Sequence, residues 1–116
     1  MNLIDNEYLI PIFIGRSKQN VKIAKKIRKA VGIRSHLFTE KPSIGERLVF
    51  RCHRVDPMRP DFLMMSLQSF SDQLEEYFCP VIVVTDRLAK DLLCTIRESI
   101  EPLFVITDDE KLFESC

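Results

Sequence analysis

The chain has 116 residues, the length of a single domain, and 46% of them are hydrophobic, enough for a packed core and against disorder. Lysine plus arginine (17) equals aspartate plus glutamate (17), and this zero net charge argues against a general nucleic-acid binder, which is basic overall. Four cysteines without a Cys-x-x-Cys pair, beside only two histidines, argue against a structural zinc site. The first residues lack the basic start and long apolar run of a secretory signal, and the apolar run 81–84 is far too short to cross a membrane. A reducing cytoplasm is the expected location, with Cys52, Cys79 and Cys94 as buried free thiols.

Residues 9–14 (LIPIFI) form an apolar run ending at Gly15, as a buried parallel strand reads. Pro11 donates no ladder hydrogen bond and so belongs near the start of that strand. Over 20–31, Ile23, Ala24, Ile27, Ala30 and Val31 share one face at helical spacing. Ser17 or Asn20 caps this helix, and Gly32 ends it. Residues 33–39 (IRSHLFT) read as a second strand. A polar turn with Pro42 and Gly45 leads into a short β-like run at 48–52 (LVFRC), and 53–60, with two prolines, reads as a loop.

Residues 61–78 have the clearest helical period. Leu63, Leu67, Phe70, Leu74 and Tyr77 or Phe78 make one apolar stripe, and Asp61 sits near the start, where negative charge is favoured. Met64 and Met65 on this helix are expected in the core. Residues 80–84 (PVIVV) are the strongest strand. Thr85 and Asp86 end it and cap a helix that runs to about Ile100, with Leu88, Ala89, Leu92, Leu93, Ile96 and Ile100 on one side. Residues 102–106 (PLFVI) are the last strand. Residues 108–116 (DDEKLFESC) read as the opening of another helix, capped by Thr107 or Asp108 and leading to a further domain. The alternation predicts an α/β fold, a three-layer sandwich of four to five mostly parallel strands with helices on both faces and right-handed crossovers.

In open α/β sheets, ligands bind beyond the carboxyl ends of the strands. Those ends carry Gly15, Arg16 and Ser17, then Glu40, then Asp86, and these are the candidate ligand-binding residues. Each has a plainer role. Gly15 permits a tight turn, and Ser17 and Asp86 serve as helix caps. Glu40 stands where a dinucleotide-binding fold places its ribose carboxylate, but Gly15-Arg-Ser-Lys-Gln-Asn lacks the further glycines such a site needs. No phosphate-binding loop or nucleophile elbow is present, and His36 and His53 show no evident catalytic partner, so no catalytic or metal-ligating residue is assigned. Lys22, Lys25, Lys26, Arg28 and Lys29 read as a solvated helix face. Arg47, Arg51, His53, Arg54 and Arg59 form a second basic stretch. It reads as exposed loop charge, or as a receiver for an anionic substrate or a partner domain.

Certain stretches together resemble a known family. They are residues 10–15 (IPIFIG), 27–35 (IRKAVGIRS), 42–50, 80–86 (PVIVVTD) with its following helix, and 109–116 (DEKLFESC). The chain resembles the N-terminal, Rossmann-like "pre-ATP-grasp" domain of ATP-grasp carboxylate–amine ligases. The resemblance implies a domain over 1–107 that shapes the substrate cleft, with 108–116 leading into an ATP-grasp domain. It implies ATP and magnesium for a full-length parent, both held further along, and no cofactor in this chain. The expected partner is that ATP-grasp domain, in cis or as a separate subunit, or a second copy in a homodimer. Neither nucleic acid nor membrane is expected. The first loop departs from the family, with Arg16 and Lys18 where relatives often carry a small or acidic residue. A free-standing small-molecule or nucleotide-binding module, with a pocket at Gly15, Glu40 and Asp86, is the alternative, as is an interaction subunit.

Overall fold

The structure, a computed structural model, describes residues 8–100 and 103–107, without the side chain of Leu88. The helix opening expected at 108–116 lies outside the described residues, as do Pro102 of the last expected strand and the side chain of Leu88.

The elements in chain order are β1 (Leu9–Ile14), α1 (Lys18–Val31), β2 (His36–Thr39), α2 (Ile44–Val49), β3 (Arg51–Arg54), α3 (Pro60–Gln73), β4 (Cys79–Val83), α4 (Arg87–Ile100) and β5 (Val105–Thr107), as expected except for the added helix α2. The five strands form one all-parallel sheet in the order β3-β2-β1-β4-β5. The architecture is a Rossmann-like α/β sandwich whose strand order reverses between β1 and β4.

A parallel sheet needs cover on both faces, and the strand residues divide accordingly. Ile12 and Ile14 of β1, with Phe38 and Ile82, pack against Leu63, Leu67 and Phe70 of α3 and Leu93, Ile96 and Ile100 of α4. Phe13, Leu37, Val81 and Val83 face the other way, against Ile23, Ala24 and Ile27 of α1 and Phe50. Pro11 is the third residue of β1 and pairs with Val81. β2 begins opposite Ile12, so the flank of β1 beside Pro11 carries no ladder, and a missing donor is tolerated there.

α1 starts where Ser17 caps it and ends at Gly32, whose φ of +76° makes a left-handed cap and whose N–H donates to the Arg28 carbonyl at 2.8 Å. Its stripe is Ile23, Ala24 and Ile27. Ala30 is exposed, and Val31 is half-buried.

The strand expected at 48–52 starts later, at Arg51. Leu48 and Val49 belong to α2, which a capping box starts. Ser43 Oγ accepts from the Glu46 N–H at 3.1 Å, and Glu46 Oε1 accepts from the Ser43 N–H at 2.8 Å. At the other end, Arg34 Nη2 donates to the carbonyls of Arg47 (2.9 Å) and Phe50 (3.0 Å). The strand follows as β3 and takes in His53 and Arg54, both expected in a loop.

α3 opens with Pro60 at its first turn, where the missing N–H is free of cost, and stops at Gln73, short of Tyr77 and Phe78. Met64 packs half-buried against the core, but Met65 is exposed, contrary to expectation. Cys52 and Cys79 are half-buried free thiols, whereas Cys94 lies exposed on α4, because its position falls off the Ala89, Leu93, Ile96, Ile100 stripe. Among the described residues, no helix is long and apolar enough to cross a membrane.

Replacing Leu67, fully buried between α3 and the sheet, by alanine is expected to cost about 2–5 kcal/mol. Met65→Ala, two residues away but exposed, is expected to shift stability by less than about 0.5 kcal/mol. Urea unfolding followed by circular dichroism measures both.

Candidate functional site

The carboxyl end of β1 meets the sheet's switch point, and the first loop is built there. Gly15 has φ +80°, which an L side chain rarely adopts, and a Cβ placed on it would meet nothing within 4 Å. Backbone geometry therefore explains the glycine without any crowding. Its N–H donates to the Phe38 carbonyl at 2.9 Å and extends the β1–β2 ladder. Ser17 is the α1 cap, with its hydroxyl accepting from the Gln19 N–H at 3.1 Å.

Asn20, in the first turn of α1, is 1% exposed, and both ends of its amide are used. Its Nδ2 donates to the Gly15 carbonyl at 2.9 Å, and its Oδ1 accepts from the Thr85 hydroxyl at the end of β4. One side chain thus stitches the loop after β1 to the loop after β4. On the β2 side, Arg16 Nε donates to Glu46 Oε1 at 3.1 Å. The arginine side chain is 60% exposed and the glutamate 7%. The same carboxylate oxygen caps α2, so Glu46 is buried with its charge paired and hydrogen-bonded, as burial of a carboxylate requires.

These residues wall an open cleft of about 440 Å³ between α1 and α2, lined by Arg16, Ser17, Lys18 and Val21 on one side and Ser43, Gly45, Glu46 and Val49 on the other. Asp86 stands beyond the switch point, in a second shallow depression with Thr85, Arg87 and Lys90. It caps α4 by accepting from the Ala89 N–H at 2.8 Å. Glu40 follows β2, exposed, and lines neither depression. Of the five candidate residues, Gly15, Arg16 and Ser17 are thus brought together, Asp86 sits next door, and Glu40 stands apart. Asn20, Ser43, Glu46 and Thr85 complete the site. Ser43-x-x-Glu46 is a capping-box pattern legible in the sequence. The Asn20–Thr85 bond joins residues far apart in the chain and has no local signature.

Chemically, the cleft offers a cationic rim from Arg16, Lys18 and Lys25 over a carboxylate already engaged. It suits a small polar or anionic molecule. Among the described residues, no nucleophile–base pair lines it, and no group of three His, Cys, Asp or Glu side chains is placed to hold a metal.

The two histidines, unpaired in the sequence reading, meet on the α3 face. His36 Nδ1 and His53 Nε2 are 2.9 Å apart, so one ring donates and the other accepts. His53 stacks on Phe38 at 4.5 Å between centroids, and the Phe70 edge meets both imidazoles. Burial holds the His36 pKa down to about 4, with His53, Arg51 and Arg34 pushing the same way. Burial lowers His53 as well.

Three measurements follow from this geometry. Asn20→Ala strands the Gly15 carbonyl and the Thr85 hydroxyl, and is expected to cost about 1–3 kcal/mol in urea unfolding. Gly15→Ala keeps its space but forces a side chain to positive φ, at about 1–2 kcal/mol. Above pH 6.5 both His36 states are neutral and stability is full. As pH falls from 6.5 towards 4, the unfolded chain takes up a proton that the folded one refuses, so stability is lost. His36→Phe flattens that part of the stability–pH curve. No family model, curated protein or solved structure significantly matches this chain, so its functional reading rests on its own residues.

Proposed function

We propose that the chain is the non-catalytic, substrate-side domain of an ATP-grasp carboxylate–amine ligase. The sequence resemblance over nearly the whole chain motivates the reading, and the all-parallel sheet with a cleft beside its first loop is consistent with it. The observation that carries it is the first loop. Where a self-sufficient nucleotide site presents backbone N–H groups to phosphate, the Gly15 N–H here is engaged by the Phe38 carbonyl and the Gln19 N–H by the Ser17 hydroxyl. The cleft forms a wall for a substrate without a cradle for a nucleotide.

ATP and magnesium do not fit the described residues, which carry no glycine-rich loop and no cluster of three metal-ligating side chains. On this reading both belong to the ATP-grasp domain, in cis or on a partner subunit, and Arg16 and Lys18 border the substrate. The unbridged thiols of Cys52, Cys79 and Cys94 support a reducing, cytoplasmic setting.

Titration calorimetry with Mg–ATP, together with an ADP-release assay, tests the proposal. The chain by itself is expected to show neither binding below millimolar concentration nor turnover. The reading frame around codon 116 is expected to encode an ATP-grasp domain in the same or an adjacent gene. Tight nucleotide binding by the isolated chain would sink the proposal in favour of a free-standing nucleotide module.

A further inference from the structure

β3 is the outermost strand on its side of the sheet. The amides of Arg51 and Val55 donate inward, to the carbonyls of Ser35 and Thr39. By the alternation of a ladder, the amides of Cys52 and Arg54 point outward, where no strand of the described chain lies. An open edge of this kind is a template for one more strand.

Each flank of the edge carries exposed apolar side chains among polar ones. On the α2 side, Ile44 and Leu48 are one turn apart and 78% and 72% exposed. On the other side, exposed Met65 borders a groove between α3 and β3 that also involves Phe38 and His53. Arg47, Arg51 and Arg54 are exposed around the same edge and make no ion pair among the described residues. Exposed methionine and arginine side chains gathered beside exposed isoleucine and leucine fit the composition of a protein interface.

Charge selects among occupants. If two copies paired through β3, the exposed Arg47, Arg51 and Arg54 of each would be crowded along one short seam, and like charges brought together across a strand pair destabilise it. A nucleic acid would leave the outward peptide groups without a ladder partner and the apolar side chains of the flanks uncovered. A strand carrying carboxylates satisfies the amides, the arginines and those apolar side chains together. We propose that the β3 edge docks an extended acidic segment of a partner protein, which adds a strand outside β3 and covers Leu48 and Met65. The proposal is independent of the ligase reading.

Fluorescence anisotropy on the full chain tests it with a labelled peptide of alternating glutamate and valine, its lysine–valine counterpart and a mixed single-stranded oligonucleotide. The acidic peptide is expected to bind and the lysine peptide to fail. Joint substitution R51E/R54E is expected to weaken binding about tenfold or more. Both side chains are exposed, so circular dichroism should show an intact fold. Leu48→Asp weakens binding without touching an arginine, and hydrogen exchange at the Cys52 and Arg54 amides slows when the acidic peptide is added. Equal binding of the two peptides, no acidic-peptide binding, or preference for the oligonucleotide would each overturn the proposal. So would a dimer in sedimentation that R51E/R54E alters.

Discussion

An all-parallel sheet cannot leave either face to water, and most of this molecule follows from that demand. β1 and β4 lie innermost, so their residues must be apolar on both sides: Ile12 and Ile82 towards α3 and α4, Phe13 and Val81 towards α1. Two separate cores result, one on each side of the same backbone. Because the chain moves outward from β1 to β2 and β3, then returns to β4 beside β1, the loops after β1 and β4 diverge at one point. Asn20 ties those two loops together, and the polar cleft opens beside them, between α1 and α2. The polar groups there are held by one buried amide, Asn20, and one buried carboxylate, Glu46. The cleft is therefore a fixed feature of the fold, positioned by the same packing that stabilises it.

The central elements were legible in the sequence because their local signals agree. LIPIFI followed by glycine, a one-faced helix closed by Gly32, and PVIVV followed by Asp86 each combine a hydrophobic period with matching end chemistry. The stretch 44–54 was harder because its signals conflict. Leu48-Val49-Phe50 is a short apolar run, which fits a strand and a buried helix turn equally well. The capping box at Ser43 and Glu46 decides for helix, and it pushes the strand onward to Arg51–Arg54. The prolines at 57 and 60 then mark the end of β3 and the start of α3, leaving only the residues between Arg54 and Pro60 as loop. For the candidate site, the rule that ligands gather at strand ends nominated Gly15, Arg16, Ser17, Glu40 and Asp86, of which Glu40 lines neither depression. Arg16–Glu46 and Asn20–Thr85 are tertiary pairings, as is the meeting of His36 with His53, and no local pattern encodes them. Met65 and Cys94 misled because apolar character does not say which side of a helix a residue occupies.

The two halves of the surface differ in kind. The carboxyl edge carries charges already engaged, with Arg16 on Glu46 and Asp86 on the end of α4. The β3 edge carries arginines that make no ion pair among the described residues, beside exposed leucine and methionine. The fold therefore separates a pre-formed polar cleft, suited to a small molecule, from a broad apolar and cationic margin suited to another polypeptide. One small sheet can present both because a strand's end and a strand's flank expose different chemistry.

The pairing of β1 with β4 also sets a timetable for biosynthesis. Leu9 registers with Cys79, so β1 leaves the ribosome long before its neighbour exists. At about 5–20 residues per second, the wait lasts several seconds or longer. During it, β1, α1, β2 and β3 can assemble, with α1 shielding one face. Ile12, Ile14 and Phe38 on the opposite face have no cover until α3 and α4 emerge. The nascent chain thus passes through a stage with a bare hydrophobic surface and an unpaired flank of β1, and during that stage a trigger-type chaperone or a slowly translated message would matter most to its yield.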